Sequence, residues 1–212
     1  MGIGRNAGVS RRDEYAEATR RAIVDAARRL FSERGYFATR VEEIAELARV
    51  APATVYAVSG GKQGLLRTLI ELGATAPVVT ATIREVQELD DPIAILRRVA
   101  AACRGMREDF GDIMRVMLTT APHDACAADS LATETRHYRQ AFVPIAQRLA
   151  ALGALRSGTD AAEAVDVLWF YFGYSGFFTL HDENGWSYDR AEQWLCRAAG
   201  RALLKHPGPD AG

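Results

Sequence analysis

The stretch TRVEEIAELARVAPATVYAVSGGK, Thr39 to Lys62, decides the fold. Val41, Ile44, Ala45 and Ala48 recur at i, i+3, i+4 and i+7, so they share one face of a helix, and Glu42, Glu43 and Glu46 take the other. Thr39, three residues before Glu42, has the spacing of a capping box. After a short break at Arg49-Val50, Pro52 suits the first turn of a second helix, where its missing N–H costs nothing. Ala53 to Ala57 continue that helix and Ser59-Gly60-Gly61 ends it. Two short helices with a tight turn form a helix-turn-helix, whose second helix can lie in a DNA major groove. The same spacing also suits a plain helical hairpin inside a core. Ala51 and Ala53 are small enough for close approach, Thr54 and Tyr56 offer hydroxyls, and Lys62 offers a charge for phosphate. With Thr39, Arg40 and Pro52 these make the candidate DNA-binding set.

Upstream, a helix is expected over 14–34, with Ile23, Ala26, Ala27, Leu30 and Phe31 as its apolar stripe and Gly35 as its stop. Tyr36 and Phe37 are expected to fold back and close a three-helix core. Residues 1–12 lack periodicity and are expected to be disordered, a solvated tail or a basic arm suited to a minor groove. Residues 1–72 carry 12 Lys+Arg against 9 Asp+Glu, a net +3, and residues 73–212 carry 14 against 18, a net −4. The basic part is thus the part with the helix-turn-helix, as a DNA footprint requires.

Downstream, every periodic segment reads as helix, and nothing alternates with strand period, so an all-α fold is expected. A helix opens at Lys62 and is split near Pro77. Asp91 caps another that begins at Pro92. Gly105 to Leu118, a segment from about Ala127 to Leu152 interrupted by Pro144, and a long segment from Asp160 to His181 follow. The last of these is apolar nearly all round, so it needs a second buried face, and another copy of the chain supplies one economically. A final helix, capped by Ser187, runs to about Lys205, and residues 207–212 are a tail. Cys103, Cys126 and Cys196 lack metal or disulfide spacing, so neither a metal nor a cofactor is expected. No apolar run reaches the roughly 20 residues of a membrane span, and no signal peptide is evident; a cytoplasmic protein is expected.

AIVDAARRLFSERGYFAT, VEEIAELARV and TVYAVSGGKQGLL together resemble the N-terminal domain of the TetR (tetracycline-repressor-like) family. Gly35-Tyr36, Ile44-Ala45, Thr54-Val55-Tyr56 and Lys62 stand where that family has its Gly-Tyr, Ile-Ala, Thr-x-Tyr and Lys. The chain departs from the pattern at Arg49, where the family usually has Gly, at Ser59, usually Phe, and at Gly61, usually Ser. The C-terminal half resembles the family more weakly, through VDVLWF and DENGWSYDRAEQWL. The resemblance implies a DNA-binding domain over 1–61 and a helical ligand-binding and dimerisation domain over 62–206. It implies a homodimer through the last two long helices, on a palindromic operator, released by a small molecule. The ligand-facing candidates are Met106, Phe110, Met114, Met117, His123, Tyr138, Phe142, Trp169 and Phe172, residue types that suit an adaptable apolar cavity and, equally, a plain core. A hydrophobic effector is preferred. The alternatives are the same fold acting as an activator or without a ligand, or a helical-bundle enzyme using His123, Asp124, Cys126 and His137; no nucleophile elbow, phosphate loop or metal spacing supports the enzyme.

Overall fold

A computed structural model describes residues 11–205. The expectations for residues 1–10 of the basic arm and for the 207–212 tail fall outside these residues; Arg11 and Arg12, expected in the disordered arm, belong to a helix. The described residues form ten α-helices: α1 (Arg11–Arg34), α2 (Val41–Ala48), α3 (Pro52–Ser59), α4 (Lys62–Ala74), α5 (Pro77–Gln87), α6 (Pro92–Thr120), α7 (Ala125–Ala151), α8 (Ala161–Phe172), α9 (Tyr174–Phe178) and α10 (Tyr188–Leu203). A short 3₁₀ turn, Ala121–His123, joins α6 to α7, and a π turn, Thr179–Glu183, follows α9. Among these residues the only β pairing is a single antiparallel bridge between Leu155 and Leu204. The all-α expectation holds.

The described residues divide into two compact units, 11–71 with 115–128, and 72–114 with 129–205. In the first, α1 packs on α2 and α2 on α3. Its core is built from the stripe of α1 (Ile23, Ala27, Leu30, Phe31), Ile44 and Ala45 of α2, Val55 of α3 and Leu65, Leu66 and Leu69 of α4. Tyr36 is buried and packs against Phe31, with ring centres 5.2 Å apart, as expected, whereas Phe37, expected to fold back with it, is exposed. In the second, α8, α9 and α10 pack together over a core that includes Leu96, Val99, Phe142, Leu149, Leu168, Phe172, Phe177 and Leu195.

Local chemistry explains most boundaries. Pro77 stands at the first turn of α5 and splits it from α4. The Asp91 carboxylate accepts the Ile93 N–H at 2.9 Å and opens α6. The Ser187 hydroxyl accepts the Arg190 N–H at 3.2 Å and opens α10. Gly105 interrupts nothing, and α6 runs 29 residues without a break.

Three expectations need correction. Thr39 does not cap α2. Arg40 is the N-cap, and its N–H donates to the Glu43 carboxylate at 2.8 Å, one residue later than the Thr39/Glu42 register. The Thr39 hydroxyl turns inward and donates to the Gly35 carbonyl at 2.9 Å or the Leu30 carbonyl at 3.2 Å, which fixes the link from α1. The long apolar segment after Asp160 is not one helix either. It breaks at Gly173, an extended residue with ψ of −171°, where a β-carbon would collide with the Trp169 carbonyl oxygen. Finally, α1 already includes residues 11–13, ahead of the expected start at residue 14.

The turn between α2 and α3 is made without glycine. Arg49 takes the left-handed conformation, φ 57° and ψ 44°, and its N–H and that of Val50 close onto the Ala45 and Glu46 carbonyls. A side chain in that region costs about 1 kcal/mol, so the rest of the unit holds the turn in place. Gly64 supplies part of that constraint. A β-carbon at this position would overlap the carbonyl oxygen of Ser59, the last residue of α3, so only glycine lets α4 start so close beneath α3. Gly64→Ala is therefore expected to lower stability in denaturant unfolding by about 1–3 kcal/mol, the usual cost of overpacking. An unchanged midpoint would mean that the end of α3 shifts freely.

Candidate nucleic-acid interface

An eight-residue helix has little stability of its own, so the surroundings of α3 decide what it can present. Its one buried residue is Val55, with no exposed surface. Around it Ala51, Pro52, Ala53, Tyr56 and Ala57 are exposed, and Thr54 is partly so. Tyr56 leaves 55% of its surface accessible. The outer face is therefore small side chains with one protruding phenol, a shape that allows backbone to approach a base edge and leaves hydroxyls to meet phosphate or base. Arg40, exposed at the N-cap of α2, adds a cation in the same unit.

Two members of the expected set sit elsewhere. Thr39 is 1% exposed, and its hydroxyl is engaged within the protein. The Lys62 ammonium donates to the carbonyls of Tyr36 at 2.7 Å and Thr39 at 2.9 Å and lies 4.4 Å above the Tyr36 ring. Burial pulls its pKa below the usual lysine value, while the Asp124 carboxylate pulls the other way. The charge that the sequence offers to a phosphate thus pins the α1–α2 link to the start of α4.

Of the ligand-facing candidates, Met117 and His123 belong to the first unit, where His123 lies 6.2 Å from the Phe37 ring. The others are in the second unit. Four of them come together. Tyr138 stacks on Phe142 at 5.3 Å and meets Trp169 edge-on at 5.5 Å, and its hydroxyl donates to the Phe172 carbonyl at 2.7 Å. Met106, Phe110 and Met114 are half-buried along α6. The residue that sequence reasoning missed is Arg107, 1% exposed and bonded to Tyr138 and to the carbonyls of Phe172 and Gly173. Its signal was its position: it follows Val99 and Cys103 at i+4 steps, a charge placed in register with an apolar stripe. Of the loose enzyme set, His123, Asp124 and Cys126 are in the first unit, and His137 is in the second, its Nδ1 3.6 Å from the Glu134 carboxylate. Among the described residues no cluster of His, Cys, Asp and Glu could hold a metal ion, and no helix is long and apolar enough to cross a membrane.

A three-helix unit that displays the outer face of its third helix is a helix-turn-helix DNA-binding domain. Comparison with known proteins agrees. Residues 23–69 match the bacterial regulatory proteins of the tetR family. The HTH-type transcriptional regulator TtgR of Pseudomonas putida is 28% identical over 171 residues, 77% of this chain and 80% of its own. Two solved structures share the fold. A transcriptional regulator from Saccharomonospora viridis in complex with choline superposes with a TM-score of 0.73 at 20% identity, over 90% of this chain and all of that one. NalD, the secondary repressor of the MexAB-OprM multidrug efflux pump in Pseudomonas aeruginosa, superposes with a TM-score of 0.69 at 22% identity, over 91% of this chain and 98% of its own. The chain is a DNA-binding transcriptional regulator, and its residues 23–69 match the tetR-family domain.

Lys62→Met tests the reassignment of the lysine. Two charge-assisted bonds to backbone disappear, so unfolding free energy is expected to fall by about 1–3 kcal/mol, with the salt dependence of DNA binding unchanged. A salt slope shallower by about 0.9, the worth of one phosphate no longer neutralised, with stability intact would return Lys62 to the DNA.

Proposed function

We propose that the chain is a repressor that binds an approximately palindromic operator as a homodimer and leaves it when a small molecule occupies the second unit. The observation that carries this is the exposed face of α3 around a single buried anchor, Val55. In this reading Tyr56, Thr54 and the small residues 51–53 meet the major groove, and Arg40 meets a phosphate. Two recognition helices would reach half-sites about 34–36 Å apart, or a multiple of that. The described residues include no membrane-spanning helix, in keeping with a cytoplasmic protein.

Dimerisation is supported by an apolar surface on α8 and α10. Phe170 is 73% exposed and Trp194 43% exposed, apolar area that a second copy would cover. Trp169, by contrast, packs within its own chain against Tyr138 and Tyr174, so Phe170 is the better probe of the interface. Effector release is supported by the aromatic group around Tyr138, which offers apolar surface with a few fixed polar atoms. A ligand shifts the DNA-binding equilibrium only through different affinities for the two states.

Selection of bound fragments from the host's genomic DNA tests the function. The expected result is enrichment of fragments that share an inverted repeat overlapping a promoter. Enrichment without symmetry, or binding that ignores sequence, would contradict it. Phe170→Asp is expected to give a folded monomer by light scattering, with operator affinity lowered at least about tenfold because only one half-site is then engaged. A dimer of normal affinity would place the interface elsewhere.

A further inference from the structure

A helix interior rarely buries an arginine, because the charge loses its water and must be repaid by partners. Arg107 is among the largest fully buried side chains of the chain. Its partners are all neutral. Nη2 donates among the Tyr138 hydroxyl at 3.1 Å, the Phe172 carbonyl at 3.1 Å and the Gly173 carbonyl at 2.9 Å, and Nη1 reaches the Cys103 carbonyl only at 3.5 Å. Nε has no hydrogen-bond partner. Three rings surround the guanidinium, those of Tyr138, Phe177 and Phe178, with centres 5.5 to 5.7 Å away. Burial pushes the Cys103 thiol and the Tyr138 phenol up, so neither supplies a negative charge at neutral pH.

This arrangement has a surplus and a deficit. Nη2 carries two hydrogens, and three oxygens compete for them. Tyr138 can be released at small cost, because its hydroxyl already donates to the Phe172 carbonyl at 2.7 Å. Nε–H is an unsatisfied buried donor, which normally costs about 1–3 kcal/mol. A carboxylate is the group that satisfies Nε–H and one Nη2–H together, in the two-pronged pairing guanidinium groups favour. It would also neutralise the charge. Beside it, Phe142, Trp169 and Tyr174 pack around Tyr138, and Tyr138 and Trp169 are themselves only half-buried, so an apolar body has aromatic faces to lie on.

We propose that Arg107 is an effector-reading residue: the second unit takes a small organic monocarboxylate, its anion on the Nε edge of Arg107 and its apolar body against Tyr138 and Trp169. The inference rests on the reading of this unit as effector-binding and adds the ligand class. It also gives the ligand a lever. Phe172 and Gly173 are the residues where α8 ends, and their carbonyls are held by Arg107. A cation stabilises a helix C-terminus. An anion that draws Arg107 away loosens the end of α8, the helix that carries the exposed Phe170.

The test is calorimetric titration of the full-length protein with benzoate, 1-naphthoate and decanoate, each against its uncharged primary amide, with choline as a cationic control. Carboxylates are expected to bind roughly ten- to a hundredfold more tightly than their amides, the worth of one or two bonds to a charged group, and choline is expected not to bind. Arg107→Lys keeps the charge but loses the two-pronged edge, so it should reduce that preference at least about tenfold while its circular dichroism stays native. If Arg107→Lys fails to fold, Tyr138→Phe serves: it removes the competing hydroxyl and should leave the preference for carboxylates equal or larger. Amides binding as well as acids would sink the carboxylate assignment and leave the effector reading standing. Binding of neither acids nor amides by the folded protein would sink both. A preference for acids that survives Arg107→Lys intact would make Arg107 only a strut for α8.

Discussion

An eight-residue helix with one buried side chain has to be held by what surrounds it, and the DNA-binding unit is organised around holding α3. Val55 fixes it from below. Gly64 lets α4 start against its last carbonyl. The Arg49 turn sets its entry, at a conformational cost that neighbouring packing offsets. Lys62 ties the α1–α2 link, through the Tyr36 and Thr39 carbonyls, to the first residue of α4. Of these, Val55 lies on the inner side of the helix and the others fix its ends and the elements around it. The outer side is left with small residues and Tyr56, and that division between anchored and open faces makes the unit a reader of DNA rather than an ordinary helical hairpin.

Much of this was legible in the residues, for reasons that are local. The i, i+3, i+4, i+7 stripe of α2, proline at the first turn of α3, α5 and α6, and Asp91 and Ser187 as caps all act within one helical turn, so spacing reveals them. What was not legible depends on separation in space. The Thr39 hydroxyl is claimed by carbonyls four and nine residues back, which pushes the cap one residue on to Arg40. The break at Gly173 hides inside an apolar run, because two short helices buried on different sides look, in sequence, like one helix buried all round. Met117 and His123 read as part of a ligand-facing set with Phe110 and Met114, yet the end of α6 and the turn after it belong to the first unit. Arg107 was overlooked because a charge in an apolar stripe is usually a solvated neighbour of the stripe rather than its centre.

The second unit poses the opposite problem to the first. There the fold buries a charge among neutral groups and gives three oxygens to one nitrogen while another nitrogen has none. A core built for stability alone rarely keeps such an imbalance, since replacing a buried charge with apolar bulk is often neutral or stabilising. The same residues sit where α8 stops and its exposed aromatic face begins. In the proposed reading, ligand recognition and dimer geometry share this one short segment, which gives a physical route by which an effector would alter assembly without contacting DNA.

The account turns on the outward face of α3. Amide hydrogen exchange of the protein, alone and bound to an operator duplex obtained by genomic selection, measures that face directly. Added protection is predicted to concentrate in residues 51–57 and around Arg40, with amides beneath Val55 little changed because they are already buried. Protection confined to the second unit, with residues 51–57 exchanging as freely as in the unbound protein, would contradict it.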